Sequence, residues 1–234
     1  MRDALTRPPG FDSAWRAVQC LENHDLLLLA HSPRDRRPRV AALCDPSDSR
    51  SWYARSRARV AAGVLLTGPG VPMLFMGQEF LEDKYWSDSP DDPDHRVWWA
   101  SLASDRASSD YLRFTRELIA LRRRLPALSR GEVNVFHARD DTRVLAFHRW
   151  LEGSGQDVVV AVSLSESTLY GYRLGFPAGG LWTEVFNGDV YDNWVNPKVA
   201  GNGPGVTATG PPYDGLPASA GIVIPANGIV VFAR

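Results

Sequence analysis

The sequence predicts an α/β segment followed by an all-β one, and three observations carry that reading. Residues 1 to about 127 alternate short continuous apolar runs with helix-like segments, the order that builds a parallel α/β layer. Residues 131 to 234 hold short β-branched and aromatic runs parted by turn signals, the rhythm of an antiparallel sandwich. Pro126 and Gly131 bracket the expected boundary between the two.

The first strand is expected over Trp15 to Leu21, a mostly apolar run that ends in the polar Glu22-Asn23-His24-Asp25. Such a run, bounded by polar residues, suits a parallel strand covered on both faces. An Arg-rich loop follows, and then an Ala/Leu/Val-rich helix over Arg57 to Leu66, stopped by Gly68-Pro69-Gly70. Val71 to Met76 is the second strand and ends in Gly77-Gln78-Glu79. A long loop rich in Asp, Pro and Trp covers Leu81 to about Ala107. Tyr111, Phe114, Leu118, Leu121 and Leu125 recur at spacings of three and four, so a helix is predicted from Ser109 to Leu125. Ser109 is its expected N-cap and Pro126 its stop.

The β half divides into runs at Val133 to His137, Arg143 to Trp150, Asp157 to Leu164, Leu181 to Asn187, Gly221 to Pro225 and Ile229 to Ala233. Asp140-Asp141, Glu152-Gly153-Ser154-Gly155, Gly179-Gly180 and Asn227-Gly228 supply the turns. Asn196 to Pro217 is so rich in Gly, Pro and Asn that an ordered loop without regular structure is expected there.

Composition excludes several function classes. Lys plus Arg is 26 and Asp plus Glu 27, a net charge of −1, which argues against bulk attraction to nucleic acid or to an anionic membrane. No apolar stretch approaches the roughly 18 residues of a membrane span. Cys20 and Cys44 make neither a disulfide framework nor a CxxC zinc pair. The opening MRDALTRPPGF has no apolar signal-peptide core, so a cytoplasmic location is expected.

Two strand ends could carry chemistry. In parallel α/β folds the loops at strand C-termini host the site, so His24 and Asp25 could bind sugar hydroxyls, work as acid and base, ligate a metal, or cap a helix. Glu79 after the second strand is either site-lining or a buried salt-bridged acid. Tyr85, Trp86, Trp98 and Trp99 form either a sugar-stacking platform or a packed cover. The acidic loop Asp83 to Asp94 lacks the DxDxDG spacing with a closing Glu, so no metal is expected there. The runs Arg34 to Arg39 and Arg122 to Arg124 read as solvated faces. Gly201 to Gly205 opens no helix and is not a phosphate loop, and Gly153-Ser154-Gly155 is a hairpin turn rather than a nucleophile elbow.

At the strand ends a family resemblance becomes specific. Gln19-Cys20-Leu21-Glu22-Asn23-His24-Asp25 resembles the last conserved motif of the α-amylase family, at the end of barrel strand seven. Gly70-Val71-Pro72-Met73-Leu74-Phe75-Met76-Gly77-Gln78-Glu79-Phe80 is similar to strand eight of that family. Met-Leu-Phe-Met-Gly, followed by Lys84-Tyr85-Trp86-Ser87-Asp88, most resembles the 1,4-α-glucan branching enzymes. The resemblance implies the C-terminal remnant of a (β/α)8 barrel, strands seven and eight with their helices over residues 1–127, followed by an antiparallel β-sandwich over 131–234.

It further implies an α-glucan substrate, no cofactor and no metal. Asp25 takes the place of the carboxylate that stabilises the oxocarbenium-like transition state, and His24 that of a sugar-binding histidine; Asn23, Glu79, Tyr85 and Trp86 take substrate-binding places. Retaining glycosyl transfer needs a nucleophile and an acid/base carboxyl about 5–5.5 Å apart. In the family these come from strands four and five, which have no counterpart here. The chain alone is therefore expected to be inactive, with the remaining barrel portion as a candidate partner chain. The rival readings are a hydrolytic or trehalose-forming relative, or a non-catalytic glucan-binding or structural β-module.

Overall fold

Val18–Cys20 (β1) and Val71–Met73 (β2) pair in parallel, with Val18 opposite Val71 and Cys20 opposite Met73. The computed structural model describes residues 2–5, 10–13, 16–28, 37–87, 89–92 and 96–234. Trp15, Asp88, Asp94 and Arg34 to Arg36 lie outside them. Both strands are shorter than the apolar runs that signal them. The second gives way to a turn at Gly77, whose φ of 89° is left-handed backbone that glycine adopts without strain.

The crossover from β1 to β2 runs through His24–Leu28 (α1), Val40–Cys44 (α2) and Trp52–Thr67 (α3). α3 begins earlier than the apolar run suggests, because Ser51 accepts a hydrogen bond from the Ala54 amide at 3.0 Å and caps it. After β2 come a 3-10 turn at Gln78–Phe80, then Ser101–Ser104 (α4), Arg106–Arg124 (α5) and Pro126–Arg130 (α6). The cap of α5 is Asp105, which accepts from the Ala107 amide at 2.9 Å, and not Ser109 as expected. Asp105 is extended and precedes the helix, whereas Ser109 already lies within its first turn.

The second half forms two sheets. One is antiparallel and six-stranded: Glu132–Arg139 (β3), Val144–Leu151 (β4), Gln156–Ser163 (β5), Ile229–Ala233 (β10), Gly180–Asn187 (β7) and Gly205–Ala208 (β8), in that spatial order. The other pairs Leu169–Phe176 (β6) with Ala218–Ile224 (β9). β6 escapes the sequence reading because Gly171, at φ 62°, sits at the register shift between Leu169 and Tyr172 and breaks the pattern. β8 lies inside the stretch expected to be irregular. Gly205 is required there because a Cβ would stand 2.2 Å from the Trp182 carbonyl oxygen of the neighbouring strand.

The six-stranded sheet is covered on both faces. Val144, Ala146, Val159, Ala161, Val230 and Phe232 pack against Leu174, Phe176, Ile222 and Ile224 of the two-stranded sheet. Their neighbours Leu145, Phe147, Val158, Val160, Val162 and Val231 face the other way, into one core with Ala58, Ala62 and Leu66 of α3 and Phe114, Leu118 and Leu121 of α5. This explains why β4 and β5 read as continuous apolar runs rather than alternating ones. α3 comes close to the sheet at Gly63, where a Cβ would fall 2.6 Å from Ile229 Cδ1.

Two arginines seal this joint, and the first, Arg122, corrects the expectation that the run Arg122 to Arg124 is a solvated face. Arg122 donates from Nη1 to the carbonyls of Leu66 and Gly68, at 2.8 and 2.9 Å, and from Nη2 to Gly70 at 2.6 Å. Arg149 donates to Glu132, Thr67 and Gly131. The last carbonyls of a helix have no partner within it and carry the negative end of its dipole, so buried cations suit the end of α3. Burial pushes the Arg122 guanidinium down to about 10 and that of Arg149 to about 9.

Candidate functional site

The parallel register of β1 and β2 brings residues 22–25 and 75–79 to the same end of the strand pair. Asn23 takes the capping role at the first end: its Oδ1 accepts from the Leu26 amide at 2.8 Å, starting α1, and its Nδ2 lies 3.5 Å from Cys20 Sγ. Of the readings open for this cluster, capping therefore falls to Asn23 and not to Asp25. His24 and Asp25 turn outward, with side chains 61% and 81% exposed and His24 Nε2 3.2 Å from Asp25 Oδ1.

Trp86 joins them from the long loop. Its ring meets His24 edge-on at 6.3 Å between centroids and meets Phe75 edge-on at 5.4 Å. Sixty-two positions separate His24 from Trp86, so nothing local in the sequence signals the contact. Of the other loop aromatics, Trp98 lies under the Lys84 ammonium and Trp99 packs on Phe80, while Tyr85 is exposed.

At the second end, Glu79 Oε2 accepts from the Gly77 amide at 3.1 Å and so braces the turn after β2. The buried acid of this segment is Glu82 rather than Glu79. Glu82 is 3% exposed and accepts from the amides of Asp83 and Lys84 at 3.1 Å and of Trp98 at 2.5 Å. It pins both ends of the 83–98 loop that carries Tyr85 and Trp86. Asp83 is turned away to Ser49 and Arg50. Among the described residues, no three His, Cys, Asp or Glu are placed to hold a metal ion, and no helix is long and apolar enough to cross a membrane.

Beneath the exposed pair lies a buried one. Arg39 Nη2 donates to Glu22 Oε1 at 2.8 Å, and both side chains are almost fully enclosed. On sequence Arg39 belongs to a basic run expected to be solvated, whereas the fold buries it. The signal against solvation was its position immediately before the apolar Val40-Ala41-Ala42-Leu43, where the chain turns inward. In chemical terms the strand ends present an exposed carboxylate beside an imidazole and an indole edge. That set can accept and donate hydrogen bonds to hydroxyl groups and contact an apolar sugar face.

Residues 136–234 match the family described as the α-amylase C-terminal all-β domain. The chain is 30% identical over 194 residues to a 1,4-α-glucan branching enzyme, GlgB, of Burkholderia thailandensis, covering 80% of this chain and 22% of that protein. A GlgB of Mycolicibacterium paratuberculosis is 37% identical over 164 residues, covering 67% of this chain and 21% of the relative. The chain thus spans about a fifth of the length of these two curated relatives. Among solved structures, an Anoxybacillus α-amylase superposes with a TM-score of 0.61 at 18% identity, over 94% of this chain and 38% of that one. The α-amylase of H. orenii superposes with a TM-score of 0.53 at 22% identity, over 77% of this chain and 36% of its own. At these identities the likeness is one of fold.

Proposed function

We propose, from the premise that this chain corresponds to the C-terminal portion of a 1,4-α-glucan branching enzyme, that its two strand ends form the sugar-positioning part of a glucan site. In this reading β1 and β2 are strands seven and eight of a (β/α)8 barrel, and the two sheets behind them are its C-terminal domain. Asp25 hydrogen-bonds ring hydroxyls of the sugar at the cleavage point. Those bonds strengthen as the ring flattens towards an oxocarbenium-like transition state, and such interactions contribute several kcal/mol, roughly, to lowering the barrier. His24 donates to the same sugar, and Trp86 and Tyr85 contact its apolar faces. Glu79 and Asn23 line the ends of the two strands. The reaction served is cleavage of an α-1,4 bond and transfer of the glucan to an α-1,6 branch.

The observation that supports this most is the meeting of His24, Asp25 and Trp86 at the C-terminal end of a parallel strand pair. The chain by itself positions sugar without turning it over. Asp25, 81% exposed and partnered by His24, serves a reaction that needs a nucleophile and an acid/base carboxyl as well, and the resemblance assigns both to strands four and five. The test is incubation of amylose with the purified 234-residue chain, followed by iodine staining and chain-length analysis, beside titration with maltoheptaose read by tryptophan fluorescence. Binding that weakens in Asp25→Asn, with no change in chain length, is the expected result. Absence of binding would overturn the glucan reading, and turnover that depends on Asp25 would overturn the positioning role.

A further inference from the structure

The Glu22–Arg39 pair is itself almost fully enclosed, yet Glu22 lies just past the end of β1 and Arg39 bonds to the backbone just past the end of β2. Glu22 Oε2 accepts from the Val40 amide at 3.1 Å, so the carboxylate is held at both oxygens. The nitrogen that donates to Glu22 also lies 3.0 Å from the Met76 carbonyl and 3.2 Å from that of Phe75. The guanidinium stands over the Phe75 ring, 5.5 Å from its centroid. Glu22 immediately precedes Asn23-His24-Asp25, and Phe75 carries Trp86, which carries His24. One cation therefore ties the end of β1 to the end of β2 and reaches His24 through two aromatic rings.

We infer that Glu22 and Arg39 are positioning residues: they set the separation of the two strand ends and so the placement of His24 and Asp25 against Trp86. The inference rests on reading that cluster as a glucan site. Stability does not account for the pair. A buried ion pair replaced by apolar residues of similar volume is commonly neutral or stabilising, and here Arg39 Nε is also buried without a hydrogen-bond partner. What an apolar pair cannot supply is direction. A planar guanidinium hydrogen-bonds along fixed vectors and stacks on a ring, whereas a lysine ammonium is a point charge on a flexible stem. Geometry is what the pair contributes.

The test compares Arg39→Lys, the double variant Glu22→Leu/Arg39→Met, and Trp86→Leu as the reference for complete loss of the His24 contact. The first readout is the chemical shift of the His24 ring protons without ligand, the second is thermal melting, and the third is maltoheptaose titration. The double variant is expected to melt near the wild-type temperature while its His24 shift moves to the Trp86→Leu value. Its maltoheptaose affinity is expected to fall about tenfold, equivalent to about 1.4 kcal/mol. Arg39→Lys should move the His24 shift in the same direction. A wild-type His24 shift in either folded variant would overturn the inference. A double variant that cannot fold would also overturn it, because the pair would then be a stability element. If the wild-type chain binds no maltoheptaose, the glucan reading fails while the His24 shift still decides this one.

Discussion

Arg149 on β4 donates from Nη1 to the carbonyl of Thr67, the last residue of α3, at 2.7 Å. The bond crosses from sheet to helix, and the two layers it joins share one core. Replacing Arg149 by Met would leave the carbonyls of Thr67, Gly131 and Glu132 without this donor. The bonds to Thr67 and Gly131 are buried, and each acceptor left unsatisfied costs about 1–3 kcal/mol, so a loss of about 2–6 kcal/mol is expected. Urea unfolding followed by both far-UV circular dichroism and tryptophan fluorescence measures it. The wild type should show a single shared transition, and two separated ones would contradict the shared core.

Hydrogen exchange distinguishes the parts that share that core from those that do not. Residues 58–66 of α3 and 158–162 of β5 face one another in it and should exchange at similarly slow rates. β1 and β2 pair only with each other among the described strands, and Val18 and Val71 are exposed. Their amides should exchange much faster. Protection of Val18–Cys20 equal to that of β5 would count against this division.

Gly77→Ala tests the turn at the end of β2. The left-handed φ of 89° strains any L residue, and the new Cβ would meet Glu82 Cβ at 2.7 Å, where the neighbour is itself held by three amides. A destabilisation of about 1–2 kcal/mol is expected from the left-handed backbone, and the melting temperature should drop accordingly. An unchanged melting curve would mean the turn relaxes freely.

Acid sensitivity should trace in part to Asp45. Hydrogen bonds from Ser47 and Ser51 hold its carboxyl down to about 2, against an ordinary 3.8. The folded state thus gives up this proton more readily than the unfolded chain. The contribution is complete above pH 3.8 and is lost as pH falls towards about 2. Ser51 also caps α3, so the loss should appear at the start of that helix. Melting temperatures of wild type and Asp45→Asn, measured from pH 5 downwards, should converge as the pH approaches 2. Parallel curves would assign the acid sensitivity elsewhere.

Much of this molecule is written in local pattern. Continuous apolar runs ending in polar residues mark β1 and β2, the spacing of Tyr111, Phe114, Leu118 and Leu121 marks α5, and turn dipeptides punctuate β3, β4, β5, β7 and β10. What the pattern hides has a common cause. Glycines that permit a bulge in β6 or a close strand contact in β8 look, one residue at a time, like loop residues.

Arginines present the harder case, because charge in a sequence reads as solvent exposure while burial depends on distant acceptors. Arg39 finds its carboxylate 17 residues back and its carbonyls 36 and 37 ahead; Arg149 finds Thr67 across 82. Periodicity determined which faces of the chain turn inward, since it reflects repeating local geometry. Which charges follow them, and how His24 comes to meet Trp86, was decided by tertiary structure alone, because a buried cation is tolerated only where folding assembles carbonyl and carboxylate oxygens around it.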